Sequence, residues 1–424
     1  MKRTIQLTEE QNKVYKQMKE TIVSSTLKET WPNTGKIIFL GTWCRTYSEK
    51  KDSFNFESET IEYHWNDRLK FKNDVKLIES ITEEYLEDKY PMVELDKNIL
   101  INASFLPTKN LVKQVSNLTN NQAIFKGEQI IAFFTCDTQE HVDFDSYEQV
   151  EFKEEVLQIK NTWDIFSLND KAIQADFDLL TEGRTSQPIP VGVHAIQEEN
   201  IFIEQGATVS YSSLNASKGP IYIGKDSEIM EGSLVRGPFA LGENSILKMG
   251  TKVYGATTVG PFSKIGGEVN NSVLFGYASK GHEGFLGNSV LGEWCNIGAD
   301  SNTSNLKNNY AEVKLWNYQE ERFTNTGLQF CGLMMGDHSK CAINTMFNTG
   351  TFVGVSANIF GSGFPRNFIP SFSWGGAKGF TTYITAKAFE VANVVMSRRG
   401  LEFSAQESAI LEQVFEQTSV YRKD

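Results

Sequence analysis

Aliphatic side chains recur at every sixth position through the middle of the chain. A serine or threonine stands four residues after most of these positions, and a glycine often follows them directly. In a triangular coil of short strands, the aliphatic side chain points to the axis, the small residue fits the corner and glycine adopts special backbone torsions. The period predicts a left-handed parallel β-helix of hexapeptide repeats, with about eight to ten coils, over residues 191–360. The uninterrupted run is Ile223, Ile229, Val235, Leu241, Leu247, Val253, Val259 and Ile265.

The same period extends beyond this run, with two interruptions. Residues 270–284 and 306–340 break the phase. Loops that leave a solenoid commonly carry its function, so we expect functional residues in these two stretches. In the second stretch, Tyr310 and Trp316 are expected to pack on the solenoid. The positions that continue the period are Ile203 and Val209 upstream, then Phe285, Leu291, Ile297 and Thr303, and finally Ile343, Thr349 and Val355.

The flanking segments predict three further regions. Residues 1–160 are expected to form an α/β domain, because helical spacing alternates there with short apolar runs typical of buried strands. Residues 161–190 predict a linking helix that ends at a glycine and proline-containing linker. Residues 361–424 predict a helical cap that blocks edge-to-edge stacking of the β-helix. Within the first region the predicted helices are 5–30, 66–90 and 108–118, and the first strand is 36–41; in the cap the helices are 384–398 and 404–420.

Charge and composition narrow the range of partners. The chain of 424 residues has a formal charge of -12, which disfavours binding to nucleic acid or to anionic membrane surfaces. The five cysteines are scattered without metal-ligand spacing, which is typical of reduced thiols in a cytoplasmic protein, and no metal site is expected. Since no stretch of about 18 consecutive apolar residues occurs, we expect a soluble protein without membrane insertion.

Several short segments resemble the GlmU-like proteins of bacteria, relatives of the bifunctional N-acetylglucosamine-1-phosphate uridyltransferase and glucosamine-1-phosphate acetyltransferase. The resemblance covers residues from about 80 to the end, about four-fifths of the chain. It implies a sugar-modifying transferase that uses acetyl-CoA as a substrate and acts on a sugar phosphate or nucleotide sugar. It also implies a homotrimer with the acyl donor in the groove between neighbouring solenoids. The segments are NASFLP (102–107), LTEGRTSQP (180–188), GPIYIG (219–224), EGSLVRGPF (231–239), GHEGFLG (281–287) and CNIGA (295–299).

The resemblance also implies roles for individual residues. His282 matches the family's general base, which takes a proton from the sugar amine that attacks the thioester; an imidazole suits this role because it titrates near neutral pH. Asn296 matches an asparagine near the sugar, and Phe285 stands where the family usually has a tyrosine. Lys280 precedes the histidine, as a lysine does in the family, and is expected to position the substrate. Asn270 and Asn271 stand about where the family has its sugar-phosphate-binding lysine.

Two basic residues of the repeat are further candidates on their own account. Arg236 and Lys264 stand beside predicted coil corners, where they could bind phosphate groups between subunits. A solvated surface position is the alternative for both.

The amino-terminal part lacks the features of an active nucleotidyltransferase. Residues 41–45 follow a predicted strand but contain one glycine and one arginine, unlike a loop that cradles phosphates, and no carboxylate pattern for Mg²⁺ is evident. Residues 36–85 faintly resemble another family of bacterial carbohydrate-linked transferases. We therefore expect a shortened nucleotidyltransferase-like domain.

Three functions remain open from the sequence. The first is an acetyl-CoA-dependent acyltransferase acting on an amino sugar or sugar phosphate. The second is a sugar-1-phosphate nucleotidyltransferase that uses UTP or dTTP with Mg²⁺, in which the β-helix only forms the trimer. The third is a non-catalytic scaffold.

Overall fold

A computed structural model describes residues 84–86, 98–102, 104–135 and 146–422. The predicted helix at 5–30, the strand at 36–41 with the segment 41–45, and most of the helix at 66–90 lie outside the described residues. The chain divides into two compact units, and the described part of the first ends at Lys160 while that of the second begins at Asn161.

The first unit contains a four-stranded mixed sheet. Helix α1, Lys109–Ser116, begins after Thr108, whose hydroxyl accepts a hydrogen bond from the Leu111 amide, and it realises the helix predicted at 108–118. Its apolar side packs in a core with Phe105 and Phe152. In spatial order the strands are Asn98–Ile101, Gln129–Thr135, Gln122–Lys126 and Glu148–Glu151; a 3₁₀ turn spans Glu84–Leu86.

The second unit is built on a left-handed parallel β-helix of about ten turns, so the predicted fold class is confirmed. Most turns contribute one short strand to each of three faces, and the predicted serine and threonine corners are buried. The hydroxyls of Ser227, Ser233 and Thr251, for example, donate to backbone carbonyls at these corners. The aliphatic rows stack inside and form the core.

The faces are named here by their strand counts. The nine-strand face comprises Ile201–Ile203, Ile221–Ile223, Phe239–Leu241, Thr257–Val259, Val273–Leu274, Val290–Leu291, Leu333–Met335, Thr351–Val353 and Phe368–Ile369. The ten-strand face comprises Thr208–Val209, Glu228–Ile229, Ile246–Leu247, Lys264–Ile265, Ser279–Lys280, Asn296–Ile297, Lys340–Cys341, Asn358–Ile359, Ser373–Gly376 and the antiparallel Gly379–Thr382. The six-strand face comprises His194–Ile196, Ser213–Asn215, Leu234–Arg236, Lys252–Tyr254, Glu268–Asn270 and Phe285–Gly287, after which Asn302–Thr303 and Met346–Phe347 form a separate pair.

The expected loop at 270–284 is not ejected, and that prediction is wrong. The segment forms strands of the β-helix, because two coils are shorter than three hexapeptides: Val273 pairs with Thr258, fifteen residues earlier, and Val290 pairs with Val273. The shortened coils shift the phase, so that Leu286 rather than Phe285 points inward. After the long excursion between Asn302–Thr303 and Leu333–Met335 the phase changes again, so Cys341 and Phe347 occupy inward positions, whereas Ile343 is 66% exposed.

The second interruption does leave the solenoid. After Asn302–Thr303 the chain forms a hairpin of Lys314–Asn317 and Arg322–Asn325 before it returns at Leu333–Met335. Trp316 stacks on Phe368 of the nine-strand face at 4.0 Å between ring centroids, as expected for packing on the solenoid. Tyr310 is exposed.

Two helices precede the solenoid, in the region where the sequence predicted one linking helix. They are α2, Asp164–Ser167, and α3, Asn169–Thr181. The apolar side of α3 packs on the first coils of the nine-strand face, where Ile173 and Phe177 belong to one cluster with Tyr222. The buried Asn169 side chain donates to the Ala256 carbonyl at 3.0 Å and accepts from the Thr258 hydroxyl at 2.9 Å. These bonds fix the start of α3 on the solenoid.

Asn169→Ala is expected to destabilise the protein by about 1–3 kcal/mol, because it leaves a buried carbonyl and a buried hydroxyl without their partner. Urea unfolding followed by circular dichroism measures the change, with exposed Lys171→Ala on the same helix as the control. Equal midpoints for the two variants would contradict this role of Asn169.

The carboxyl-terminal segment packs on the last coils. Helix α4, Thr385–Ser397, follows the antiparallel strand, and helix α5, Ala405–Gln417, begins with a capping box at Ser404; a 3₁₀ turn follows at Ser419–Tyr421. Phe415 of α5 meets Phe372 edge to face, at 5.1 Å between ring centroids. No helix within the described ranges is both long and apolar enough to cross a membrane.

Candidate functional site

His282 lies at a corner of the β-helix, between the ten-strand and six-strand faces. Its ring is exposed, while the backbone of the corner is closely packed between neighbouring coils. On one side, a Cβ added to Gly267 would come within 2.8 Å of the His282 carbonyl oxygen. On the other side, the Asp300 amide donates to the Glu283 carbonyl at 3.0 Å. The histidine is therefore an exposed imidazole on a rigid turn rather than part of a mobile loop.

Lys280 occupies an inward position of the β-helix, in register with Ile265. Its side chain is 1% exposed, and its ammonium donates to the carbonyl oxygens of Gly266 at 2.8 Å and His282 at 2.7 Å. Burial lowers the pKa of Lys280 to about 8. The sequence predicted a lysine that positions the substrate; the structure instead places the ammonium inside the coil, where it holds the backbone of His282.

Asn296 and Phe285 lie close to this corner in the fold. Asn296 is exposed on the ten-strand face, where it pairs with Ser279 of the preceding coil. Phe285 begins the strand that follows His282 on the six-strand face, and its amide donates to the Asn302 side chain at 2.9 Å. Its ring is half-buried over Gly287, since a Cβ there would lie 2.5 Å from Phe285 Cζ.

Arg236 lies apart from these residues. Its strand, Leu234–Arg236, is three strands before Phe285–Gly287 on the six-strand face. At about 4.8 Å between neighbouring strands, that separation is about 14 Å. Arg236 is exposed there, and the structure does not bring it together with His282.

Charged groups beside His282 were missed by the sequence analysis. Lys252 and Glu268 pair in adjacent strands of the six-strand face, and Glu283 approaches Lys252 at 3.7 Å between charged atoms. The Tyr254 hydroxyl donates to Glu268 at 2.5 Å, and this hydrogen bond raises the pKa of Tyr254 to about 12. Only the register of the coils reveals this group, because its members are spread over more than thirty residues of sequence.

Lys264 belongs to a basic group on the ten-strand face. Burial lowers its pKa, and so do the nearby cations Arg399, Lys248 and Arg398. Lys264 pairs with Ser279, which in turn pairs with Asn296, so Lys264 is two strands, or about 10 Å, from Asn296. Arg398 and Arg399 follow the end of helix α4. The four cations, here called the basic group, can attract a multiply charged anion next to the His282 corner.

Within the described ranges, no three histidine, cysteine, aspartate or glutamate side chains are grouped so that they could hold a metal ion.

Parts of this chain match the sequences of known transferases. The profile of a family described as sugar nucleotidyl transferase matches residues 56–185, and that of the LIC12162 family of transferases matches residues 20–88. A bifunctional sugar-1-phosphate nucleotidylyltransferase/acetyltransferase of Sulfurisphaera tokodaii is 34% identical over 145 residues, which are 34% of this chain and 36% of the relative. The chain thus spans about a third of the length of this curated relative. The first profile and this relative are thus both sugar nucleotidyltransferases by description, and each matches only part of this chain.

Solved structures were also compared. The polySia-specific acetyltransferase NeuO aligns with a TM-score of 0.29 and 13% identity, covering 49% of this chain and 96% of its own. The UDP-N-acetylglucosamine acyltransferase LpxA of Bacteroides fragilis aligns with a TM-score of 0.27 and 13% identity, covering 55% and 91%.

Proposed function

We propose that the chain is an acetyl-CoA-dependent acyltransferase that acts on an amino sugar or a sugar phosphate in nucleotide-sugar or cell-envelope sugar metabolism. The observation that carries this proposal is the exposed His282 on a rigid corner, with Asn296 on the adjoining coil and the basic group about 10 Å further along the same face. The scattered cysteines are typical of reduced thiols, so the proposal places the protein in the cytoplasm.

In the proposed reaction His282 is the general base. The acceptor amine, or a hydroxyl where the acceptor is a sugar phosphate, attacks the thioester carbonyl. His282 takes the proton from the attacking atom, and the carbon–sulfur bond breaks to release CoA, which receives the proton as its thiol. Asn296 orients the acceptor or the acyl group by hydrogen bonds. Lys280 keeps the His282 backbone in place from inside the coil.

The basic group supports a phosphorylated acyl donor. Lys248, Lys264, Arg398 and Arg399 make no ion pair with a carboxylate in the part of the chain that the structure describes. Acetyl-CoA carries several phosphates, and cations without a carboxylate partner among the described residues can stabilise such charges. Arg236 lies too far from His282 to reach the same ligand within one subunit. We propose that it contacts a phosphate of the acyl donor bound at the site of a neighbouring subunit.

The six-strand face supports a homotrimer. Helix α3 and the hairpin cover much of the nine-strand face, whereas the six-strand face presents Ile196 and Leu234, which are 53% and 54% exposed. Apolar side chains aligned on an uncovered sheet favour association with another subunit. Three solenoids packed side by side would provide grooves for the acyl donor.

A sugar-1-phosphate nucleotidyltransferase is the second candidate. The match of residues 56–185 to the sugar nucleotidyl transferase family favours it. In this case the chemistry lies in the amino-terminal unit with UTP or dTTP and Mg²⁺, and the β-helix contributes only the assembly.

Calorimetric titration of the full chain distinguishes the two candidates. We expect acetyl-CoA to bind at one site per chain and to bind more weakly as salt increases, because its phosphates meet the basic group. Mg²⁺ with UTP or dTTP is titrated separately. Binding of the nucleotide alone would replace the acyltransferase by the nucleotidyltransferase, and no heat from either would favour a non-catalytic scaffold.

A further inference from the structure

A cavity of about 250 Å³ opens at the last coil of the β-helix. It lies between the closing hairpin, Ser373–Gly376 with Gly379–Thr382, and the side chains of Arg366 and Arg422. Its lining combines two guanidinium groups, two hydroxyl side chains, one aromatic ring and the small residues of the hairpin turn. The cavity is large enough for a small ligand and contains more donors than acceptors on its side chains.

The charge around this cavity is unusual for the protein. The chain has 53 acidic residues and a net charge of -12, yet no aspartate or glutamate occurs between His338 and Phe389. None of the lining residues is acidic, and Lys378 in the hairpin turn adds a further positive charge. An anion in the cavity therefore meets no carboxylate in the lining itself, and an acidic side chain that the structure ties to this region, Glu321, accepts a hydrogen bond from Tyr421, next to Arg422.

The two arginines differ in their bonding. Arg422 is held by the protein, since its guanidinium donates to the Ser371 carbonyl at 3.2 Å, the Thr418 hydroxyl at 2.7 Å and the Phe415 carbonyl at 2.5 Å. Arg366 lies over the Phe380 ring at 5.4 Å and makes no ion pair with any described carboxylate. Partial burial lowers its pKa, as expected for a cation that loses water without gaining an anion.

The hairpin turn leaves room beside these cations. Gly379 has a φ of +134°, and a Cβ built there would meet no atom within 4 Å, while a Cβ on Gly376 would collide with the Phe360 carbonyl oxygen. The turn residues Gly376, Ala377 and Gly379 thus line the cavity without large side chains. Ser373 and Thr381 both line the cavity. The register pairs Ser373 with Thr382 and Thr381 with Trp374, so their side chains lie on opposite faces of the hairpin, and the Thr381 hydroxyl donates to the Trp374 carbonyl at 3.3 Å.

We propose that this cavity binds a phosphoryl group of a small molecule, with Arg366 as its principal contact. A planar guanidinium donates two parallel hydrogen bonds to phosphate oxygens, and Arg422 and Ser373, which also line the cavity, add a second positive charge and a hydroxyl donor. The site is four strands from Lys280 along the ten-strand face, or about 19 Å, so it is separate from the His282 corner. It does not depend on the acyltransferase proposal.

Titration of the full chain with inorganic phosphate, at constant ionic strength set with sodium chloride, tests this site. Arg366→Gln is expected to weaken phosphate binding by about 10-fold to 100-fold, because hydrogen bonds to charged groups contribute about 1.5–3 kcal/mol. Arg322→Gln is the matched control, since that exposed arginine already pairs with Glu320 and should change nothing. Phosphate binding should also raise the melting temperature of the wild type but not of Arg366→Gln.

A second experiment distinguishes phosphate binding in this cavity from phosphate binding at the basic group. In Arg398→Gln/Arg399→Gln, phosphate binding should persist with wild-type affinity. The inference is overturned if the wild type binds no phosphate, if Arg366→Gln binds as the wild type does, or if binding is lost only in the double variant. A glucose 1-phosphate titration then tells a phosphorylated sugar from free phosphate by whether it competes with phosphate and binds more tightly.

Discussion

His282→Ala is expected to lower acyl transfer by about two orders of magnitude or more, because the acceptor nitrogen loses the base that takes its proton. The loss should appear in kcat rather than in the affinity for acetyl-CoA, since the basic group that meets the phosphates lies on other coils. The measurement is the initial rate of CoA release with an amino-sugar acceptor, together with calorimetry of acetyl-CoA binding.

The fold should tolerate this change. The contact of His282 that holds the corner is made by its backbone carbonyl, which alanine retains, while the ring itself is exposed. His194→Ala is the matched control, because that histidine is also exposed and lies five strands away on the six-strand face, about 24 Å from the Phe285 strand. Equal rates for His282→Ala and wild type would remove His282 from the mechanism and favour the nucleotidyltransferase.

The sequence predicted the β-helix because its core is strictly periodic, and it predicted the excursion at 306–340 because the period stops there. Two predictions were wrong: Phe285 was expected to point inward, and the segment 270–284 was expected to leave the solenoid. Both assumed a strict period of six residues, whereas the coils in this region are shorter than eighteen residues. Inside and outside alternate along a strand, so a shift of one residue turns a surface position into a core position.

The positions of several site residues also depend on the register of the coils, which the sequence pattern alone does not give. Lys280 stands two residues before His282, and a lysine in that place suggests a surface contact with the substrate. Its burial follows only from pairing with Ile265, since that register places it in the inward row. The proximity of Arg398 and Arg399 to Lys264 depends on where helix α4 ends over the sheet, which no local pattern encodes. Tertiary packing decided these positions.

Lys280→Met is expected to change how stability depends on pH. The pKa of Lys280 is about 8 in the folded protein, below the value of about 10.4 for an exposed lysine. Between these values the unfolded state binds more protons, so the wild type gains stability as pH rises through this window. The gain should be about 2 kcal/mol between pH 7 and pH 9.5, and Lys280→Met, which has no titrating group, should lack it.

Deprotonation of Lys280 at high pH does not remove its hydrogen bonds, so the gain in stability is not offset by their loss. The neutral amine still has N–H groups for the carbonyls of Gly266 and His282, whereas methionine leaves both oxygens without this donor. Urea unfolding at pH 7, 8.5 and 9.5 should therefore show a widening difference between wild type and Lys280→Met, with exposed Lys171→Met parallel to the wild type. The variant should also show a lower kcat with unchanged acetyl-CoA affinity, because the His282 corner loses its inner support. A constant stability difference across this pH range would mean that the ammonium is solvated, and it would separate Lys280 from the positioning of His282.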